Sequence, residues 1–281
     1  MRRHVDSETG RLKTVLMAAM KDFVFHEPMN EVQRRYYAVD PPRPERLHAQ
    51  HRALAEVLAA AGVAIVWVEQ RTDTLHQIFV RDIATVILDT LVVCEMRQPL
   101  RRNEPKALAW LVDSVEGPVE SLTEGFLEAG DVMVHGGTLY VGQSLRTDAR
   151  ALSWLERRFA GRLEIAPLAL VEPHIHLDVV FNIAGNNLAL IYPAAFEPAA
   201  LARLRSRFRC IEIDRAEQFS LAANVLSLSP EIVVSTSHQR RVNGLLRQEG
   251  LTVIEIAYDE VAKLGGAVRC ATCPLLRESG A

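Results

Sequence analysis

The sequence predicts an α/β fold in which one supersecondary unit repeats about five times around a ring. Three observations indicate this fold. Amphipathic helical stretches recur along the chain, a short β-rich segment follows each of them, and a turn then leads into a second β-rich stretch. Residues 1–281 are interpreted as a single catalytic domain, since 49% hydrophobic and 24% charged residues are typical of a globular protein with a core.

Five helices are predicted from apolar residues that fall on one face with helical spacing. Gly62 ends the first helix as a C-terminal cap. Gly161 and Gly250 follow the third and the fifth, and Pro198 lies in the first turn of the fourth. The apolar faces consist of Leu47, Leu54 and Leu58; Leu108 and Leu111; Leu152, Leu155 and Phe159; Leu201, Leu204 and Phe208; and Val242, Leu245 and Leu246.

Each predicted helix leads into a β-rich segment and then into a second β-rich stretch. The segments are Ala64–Val68, Pro118–Leu122, Leu163–Leu168, Cys210–Ile213 and Thr252–Ile256. The hairpins pair Ile83–Leu88 with Leu91–Glu95, Val132–Val134 with Thr138–Val141, Val179–Ile183 with Leu188–Tyr192, and Val225–Leu228 with Ile232–Ser235. Their turn residues include Gly136-Gly137, Asn186-Asn187 and Ser229-Pro230. A strand at Thr14–Met17 is expected to complete the ring.

The residues that open the second stretches are almost evenly spaced. They are Asp82, Asp131, Asp178, Asn224 and Cys270, at steps of 49, 47, 46 and 46 residues. In a ring of equivalent units these positions point toward a common centre. The alternative is that acidic and amide residues occur at turns for local reasons. The even spacing, with a cysteine in the fifth place, favours a shared central site.

Composition and charge exclude several classes of function. The net charge is -3 and the basic residues are scattered, which argues against nucleic acid as a partner. The longest apolar run, Val57–Val68, is shorter than the roughly 20 residues of a membrane span, and the start of the chain has no secretory signal region. Four cysteines do not form a disulfide framework here, so a cytoplasmic location with reduced thiols is predicted. The oligomeric state stays open, a homo-oligomer included.

Four strings carry a family resemblance: Phe79-Val80-Arg81-Asp82, Glu128-Ala129-Gly130-Asp131, His176-Leu177-Asp178 and Gly265-Gly266-Ala267-Val268-Arg269-Cys270. In this order they resemble the guanidino-group modifying superfamily of arginine deiminases, dimethylarginine dimethylaminohydrolases and amidinotransferases. The opening stretch, residues 7–16, also resembles the arginine deiminases. The resemblance covers essentially the whole chain. It implies the five-bladed α/β propeller of that superfamily, a pentein-like fold of ββαβ-type repeats.

Cys270 is the candidate nucleophile. A thiolate is the strong nucleophile that a protein offers near neutral pH for addition to a poorly electrophilic guanidinium carbon, and Gly265-Gly266 would let the backbone approach the substrate. The alternatives are a buried structural cysteine and a C-x-x-C redox pair with Cys273. The redox pair needs a strand-to-helix turn, whereas a strand-like segment follows here, and a zinc site lacks a second C-x-x-C. Cys273 is interpreted as structural.

His176 is the candidate general acid and base, which would protonate the leaving amine and then accept a proton from the attacking water. A structural histidine is one alternative, and an H-x-H metal pair with His174 is another. Metal-dependent guanidino hydrolases carry aspartate-rich strings that this sequence does not contain. Neither a metal nor a cofactor is therefore predicted, because the thiolate and the imidazole supply the chemistry.

Asp82 and Asp178 are candidates for binding a guanidinium, because its planar fork of N–H donors matches carboxylates. Turn aspartates would be exposed, whereas a binding site requires a buried acidic pocket. The resemblance implies that Glu128 binds a guanidinium nitrogen or orients His176, and a solvated turn acid is the alternative. Asp131 is assigned to the substrate site, where it orients a partner or caps its hairpin.

The resemblance also implies that Arg101 and Arg146 bind the carboxylate of the substrate, a contact that suits arginine. Both could instead be surface arginines. His76 is a further substrate-binding candidate, because it stands where arginine deiminases have an asparagine that contacts the substrate. Ala129 replaces a glycine of the family string, which is a mild change. Asp178, two residues after the histidine, favours the deiminase side.

The predicted function is hydrolysis of a guanidino C–N bond in arginine or a modified arginine, methylarginine included, through a covalent adduct on Cys270. The products are a citrulline-type compound and ammonia or an amine. One alternative is an amidinotransferase that uses the same cysteine and passes the amidino group to an acceptor amine. The other is a ring-shaped protein without catalysis that binds arginine-like cations.

Overall fold

Five small sheets make up the fold in the computed structural model, which describes residues 1–20, 25–71, 73–74, 77–185 and 187–278. Each of these sheets has three strands. In the four sheets built from consecutive strands, an antiparallel hairpin supplies two, and the third runs parallel to the second after a helical crossover. These sheets are the five blades of an α/β propeller, so the predicted fold class is confirmed.

The blades follow one another along the chain. The first contains β1 (Arg11–Ala19), β2 (Ala64–Glu69) and, from the far end of the chain, β15 (Cys273–Glu278). The second contains β3 (Ala84–Ile87), β4 (Thr90–Val93) and β5 (Val119–Ser121). The third contains β6 (Val132–His135), β7 (Thr138–Gln143) and β8 (Glu164–Ala169). The fourth contains β9 (Phe181–Gly185), β10 (Leu188–Ile191) and β11 (Arg209–Glu212), and the fifth contains β12 (Leu226–Ser229), β13 (Ile232–Thr236) and β14 (Thr252–Ile256).

One helix crosses over within each blade. In chain order the helices are α1 (Glu31–Val39), α2 (Pro44–Ala60), α3 (Ala109–Ser114), α4 (Ala149–Phe159), α5 (Pro198–Arg207), α6 (Arg215–Phe219), α7 (Arg240–Gln248) and α8 (Asp259–Ala262). The crossovers are α2, α3, α4, α5 and α7. The apolar face of α2 is fully buried at Leu47, Leu54 and Leu58, and Gly62 follows that helix with φ +76°, a conformation that glycine adopts without strain.

The two ends of the chain close the ring. Strand β1 pairs in parallel with β2 and antiparallel with β15, with Leu16 opposite Cys273. The strand predicted at Thr14–Met17 is therefore confirmed and extends further at both ends. Because Cys270 lies just before β15, the closure of the ring carries this residue to the centre.

The structure differs from the sequence prediction in its short helices. The second crossover begins as a 3-10 turn at Glu104–Leu108 and continues as α3, which explains its weak helical spacing. Helices α1, α6 and α8 have 9, 5 and 4 residues and were not predicted, since such lengths show few turns of apolar periodicity. Asn186 of the predicted turn lies outside the described residues.

Candidate active site

A ring of hydrogen bonds joins the turns that open the blades. The bonds run from Arg81 N to Cys270 O (3.1 Å), from Ala129 N to Asp82 O (3.1 Å), from Leu177 N to Asp131 Oδ1 (2.8 Å), from Asn224 Nδ2 to Asp178 O (3.2 Å) and from Arg269 N to Asn224 O (3.5 Å). Each blade is thereby linked to the next, and the last to the first. The five leading residues are all buried. The structure thus brings together the positions whose spacing suggested a common centre.

Cys270 lies in this centre between an amide and a carboxylate. Asn224 Nδ2 donates to its Sγ at 3.1 Å, and the thiol donates to Asp178 Oδ2 at 3.5 Å. Burial, followed by the negative charges of Asp178 and Asp82, raises the pKa of the thiol well above its ordinary value. A Cβ on Gly266 would lie 2.6 Å from the ring of Phe79, which explains the glycine at this position.

His176 is held against Glu128. Its Nε2 lies 2.9 Å from Glu128 Oε2, and its Nδ1 lies 3.7 Å from Asp82 Oδ1. Burial opposes the charged imidazole, but the charge of Asp82 and the hydrogen bond to Glu128 outweigh it and raise the pKa of His176 to about 9. Burial likewise opposes the charged Glu128, but His176, Arg146 and Arg101 together lower its pKa to about 2. At neutral pH the pair is an imidazolium and a carboxylate.

One carboxylate oxygen of Asp82 is hydrogen-bonded to a buried arginine, and the other is available to bind a further donor. Arg101 Nη1 donates to Asp82 Oδ2 at 2.7 Å, while Asp82 Oδ1 has no hydrogen-bond partner among the described residues. Glu104 fixes the arginine by accepting from both Nε and Nη2 of Arg101, at 3.0 and 2.8 Å. Arg101 therefore lies at the acidic centre in this structure and compensates its charge.

Asp178 is arranged in the same way on the other side of the thiol. Arg269 Nη1 donates to Asp178 Oδ2 at 2.9 Å, and Asp178 Oδ1 has no partner within the described part of the chain. The Nη2 atom of Arg269 donates to Glu8 Oε2 at 3.2 Å, so the N-terminal string is anchored beneath the site. Both aspartates are buried, as a binding pocket requires and an ordinary turn does not.

Arg146 joins the site to the segment that precedes α1. Its Nη1 lies 3.2 and 3.1 Å from the two carboxylate oxygens of Glu128, and its Nη2 donates to the carbonyl of Met29 at 3.1 Å. The side chain is buried, which excludes the alternative of a surface arginine, and the same holds for Arg101.

Both carboxylate oxygens of Asp131 are hydrogen-bonded within the protein. Its Oδ1 accepts from Leu177 N at 2.8 Å and its Oδ2 accepts from Ser144 Oγ at 2.6 Å. Burial raises its pKa to about 7. Because it holds the residue that follows His176, this placement favours the orienting role that the sequence suggested over direct substrate binding.

The cavity beside the thiol is narrow. Its lining includes Asp82, Arg101, Arg146, His176 and Cys270, and its volume is about 20 Å³, which is room for little more than one water molecule. Asn30 is among its lining residues and donates to the carbonyl of Leu264 at 3.2 Å. A ligand of the size of arginine is larger than this cavity, so its binding requires lining residues to move.

The remaining sequence candidates lie elsewhere. Cys273 Sγ donates to the carbonyl of Ala84 at 3.2 Å inside the blade, in keeping with a structural role. The ring of His174 packs edge-on against Tyr192 and does not join the cluster of His176. His76 lies outside the described residues.

Three residues of the site are close enough to hold a metal ion, but two arginines already supply positive charge to their carboxylates. Ligand atoms of Asp82, Glu128 and His176 lie within 4.8 Å of one another. However, Arg101 donates to Asp82 at 2.7 Å and Arg146 donates to Glu128 at 3.1 Å, so positive charge is already supplied to both carboxylates. No metal is assigned to this site.

Four site residues were not selected from the sequence: Glu8, Glu104, Asn224 and Arg269. The repeat spacing placed Asn224 at the centre, and that signal could have found it. Arg269 directly precedes the cysteine and was quoted only as part of its string. Glu8 and Glu104 act through buried arginines, and no spacing pattern reveals such a contact.

Over the described ranges, the protein has no helix that combines the length and the apolar character needed to cross a membrane.

Comparisons with known proteins agree with this architecture. A family model described as N,N dimethylarginine dimethylhydrolase, eukaryotic, matches residues 21–277. The uncharacterized protein YkgA of Bacillus subtilis is 34% identical over 96% of this chain and 94% of its own length. An arginine deiminase of Listeria welshimeri is 29% identical over 72% of this chain, and only 61% of the deiminase is covered. The structure of SxtG, an amidinotransferase of Microseira wollei, superposes with a TM-score of 0.85 at 16% identity, covering 99% of this chain and 98% of that one.

Proposed function

This chain belongs to the N,N-dimethylarginine dimethylhydrolase family of the guanidino-group modifying superfamily, and from that premise we propose that it hydrolyses a guanidino C–N bond. The substrate is arginine or a modified arginine, and the reaction passes through a covalent adduct on Cys270. The products are a citrulline-type compound and ammonia or an amine.

The observation that carries this proposal is a pair of buried carboxylate oxygens that lack a hydrogen bond in the described part of the chain and lie beside a buried thiol; one of them, Asp82 Oδ1, lies 3.7 Å from His176 Nδ1. Oδ1 of Asp82 and Oδ1 of Asp178 have no hydrogen-bond partner among the described residues, although both side chains are buried. An unsatisfied buried acceptor costs roughly 1–3 kcal/mol, and more when it is charged. A guanidinium supplies both the N–H donors and the positive charge that such oxygens require.

The charge of the substrate would activate the nucleophile. Burial and the carboxylates of Asp178 and Asp82 raise the pKa of Cys270. The thiol is therefore neutral at neutral pH when only the protein's own arginines and histidine supply positive charge to the site. A guanidinium bound to the two aspartates offsets their effect and favours the thiolate, and the thiol proton leaves to bulk water. The thiolate then adds to the guanidinium carbon and forms the C–S bond.

His176 would move the protons of both later steps. Because its pKa is about 9, it is protonated at neutral pH and donates to the leaving nitrogen as the C–N bond breaks. The amidino carbon stays bound to sulfur. The neutral imidazole then accepts a proton from water while the water oxygen adds to that carbon, and cleavage of the C–S bond returns the thiolate. The net reaction consumes one water molecule and leaves a ureido group.

The other polar residues have supporting roles. Glu128 holds His176 and keeps it charged, and Asp131 fixes the backbone behind it. Arg101 and Arg146 are assigned to the carboxylate of the substrate, and they are bonded to the acidic centre while no substrate is bound. These assignments require both arginines to exchange partners when substrate enters.

The test is incubation of the protein with arginine, methylated arginines or agmatine, with products identified by mass. Cys270→Ser should abolish turnover while the fold survives, and Cys273→Ser is the matched control, because its sulfur lies within a blade. Loss of activity in the Cys273 variant but not in the Cys270 variant would overturn the assignment.

The same experiment separates the alternatives. Ammonia released from arginine alone supports hydrolysis, whereas product formation only in the presence of an acceptor amine indicates an amidinotransferase. A stable stoichiometric complex with unreacted arginine indicates a binding protein without catalysis.

A further inference from the structure

Asn224 opens the hairpin of the fifth blade, and every hydrogen-bonding position of its side-chain amide is occupied. Its Oδ1 accepts from the backbone N–H groups of Ala267 and Cys270, each at 3.1 Å. Its Nδ2 donates to the carbonyl of Asp178 at 3.2 Å and to Cys270 Sγ at 3.1 Å. The residue is 1% exposed, so water does not compete for these contacts.

The surrounding groups fix which way round the amide lies. Two backbone donors face one end, and only the oxygen can accept from them. The nitrogen must then face the carbonyl of Asp178 and the sulfur of Cys270, and the opposite orientation would set donors against donors. The N–H directed at the sulfur is therefore dictated by the fold of residues 267–270.

None of the charged side chains described around Cys270 donates a hydrogen bond to its sulfur. The charged and titratable groups around it are Asp178, Asp82, His176, Arg269 and Tyr258, together with Arg101 and Arg146 across the cavity. The nearest of the two carboxylates lies 3.5 Å away and accepts from the thiol, which favours its neutral form. The guanidinium of Arg269 is bonded to Asp178 and Glu8. Asn224 is the neutral donor in hydrogen-bond contact with the sulfur within the described residues.

We propose that Asn224 is a catalytic residue whose amide N–H stabilises the thiolate of Cys270 and aims the sulfur at the guanidinium carbon. The other leading residues that oppose Cys270 in the ring are aspartates, which accept hydrogen bonds when ionised and cannot serve in this way. The inference rests on the proposed function only in taking Cys270 as the nucleophile. It explains why the fifth blade carries an amide at the position where three other blades carry a carboxylate.

The loss of a hydrogen bond to a charged group corresponds to about one to two pH units in the ionisation of that group. The variant Asn224→Asp keeps an oxygen for both backbone N–H groups, and so keeps the turn, but it removes the donor and adds a negative charge. The variant Asn224→Ala removes the donor without adding charge. Both should shift ionisation of Cys270 to higher pH, and the aspartate should shift it further.

The measurement is the rate at which iodoacetamide alkylates Cys270 at a series of pH values, followed by mass on the peptide that contains it. We expect the profile to move to higher pH by about one to two units in Asn224→Ala and by at least as much in Asn224→Asp, which lowers the alkylation rate at any fixed pH below the midpoint about 10- to 100-fold. Values of kcat/KM at neutral pH should fall in parallel and recover partly at higher pH. Unchanged midpoints in both variants would overturn the proposal, even if turnover were lost.

The matched control is Asn243→Asp, which places the same new charge at a buried asparagine. Among the described residues, the side-chain amide of Asn243 hydrogen-bonds to Ser235 and Thr236 of the fifth blade, and its variant should leave the midpoint where it is. A midpoint shift of equal size in this control would also overturn the proposal, because any buried charge would then suffice.

A measurement on the wild-type protein tests the proposal even if the variants do not fold. In an amide-resolved NMR titration, the Nδ2 protons of Asn224 should shift together with the ionisation of Cys270, and alkylation of the sulfur should abolish that response. Signals that do not follow the sulfur would overturn the proposal. Alkylation needs no substrate, so absence of guanidino turnover would refute the proposed function and leave this test standing.

Discussion

The variant Asp178→Asn tests how the site distinguishes a plain guanidinium from a methylated one. Asp178 Oδ2 is bonded to Arg269 and lies 3.5 Å from the sulfur of Cys270, while Oδ1 has no partner among the described residues. An unmethylated guanidinium nitrogen offers an N–H to that free oxygen. Each methyl group on the nitrogen removes one such donor.

The expected preference for arginine over dimethylarginine follows from the cost of leaving Asp178 Oδ1 without a hydrogen-bond donor. A buried acceptor without its partner costs roughly 1–3 kcal/mol, which is about 5- to 150-fold in kcat/KM at 1.36 kcal/mol for each factor of ten. The cavity is lined by Asp82 and by the apolar side chains of Met29, Phe79, Ile175 and Leu264, and contacts between these and the methyl groups would offset part of that cost. We therefore expect the wild-type protein to favour arginine over asymmetric dimethylarginine by a factor in that range.

The assay is kcat/KM for both substrates on the wild type and on Asp178→Asn. The variant should lower both values, because it removes a charge that compensates Arg269. Its ratio of arginine to dimethylarginine should fall toward one, since the amide no longer demands a second N–H donor. Taking the ratio within one preparation cancels any loss of folded enzyme. Asp113→Asn, at an exposed position of α3, is the control and should keep the wild-type ratio.

The family model that matches this chain is named for dimethylarginine, so a preference for dimethylarginine is the outcome to compare with this prediction. Wild-type kcat/KM values that favour dimethylarginine would refute the reasoning about Asp178. They would place the protein functionally with the dimethylaminohydrolases.

Four further predictions concern Arg146, Glu128 and two glycines. Arg146→Ala should lower kcat/KM for arginine by a factor that corresponds to about 2–4 kcal/mol of lost transition-state stabilisation. The loss for agmatine should be much smaller, because agmatine lacks the carboxylate. Glu128→Gln should move the alkaline limb of the pH–rate profile below pH 9, since the charge of Asp82 and the hydrogen bond to Glu128 together raise the pKa of His176 to about 9. Gly142→Ala should lower the free energy of unfolding by about 1–3 kcal/mol in urea titrations, because its Cβ would lie 2.4 Å from Asp131 Oδ1. Gly244→Ala should raise it by about 0.5–1 kcal/mol, since nothing lies within 4 Å of that added carbon in α7.

Each of these has an outcome that contradicts it. Equal losses for arginine and agmatine would show that Arg146 acts only through Glu128, to which it is bonded at 3.1 Å. An alkaline limb that stays in place or moves upward in Glu128→Gln would separate that limb from His176. Unchanged stability in Gly142→Ala would mean that the turn shifts freely.

The fold was predictable because its signal is periodic. Helical spacing repeats five times, glycines follow three of the helices, and four nearly even steps separate the leading residues, so single ambiguous segments matter little. The convergence of Asp82, Asp178 and Cys270 followed from the same spacing. What the sequence could not predict was which partner each group binds. The pairing of Arg101 with Glu104 and of Arg269 with Glu8 depends on side chains that reach across turns, and no local pattern encodes their direction.

The arginines explain how the acidic centre persists without substrate. Buried carboxylates repel one another and lose hydration, which is costly unless cations compensate them. Arg101 and Arg269 each bind one oxygen of an aspartate and leave the other oxygen unpartnered among the described residues. The centre is therefore stable enough to fold and still able to bind one more cation. In the proposed reaction, a bound guanidinium brings the positive charge that favours the Cys270 thiolate, so substrate binding and formation of the nucleophile are coupled electrostatically.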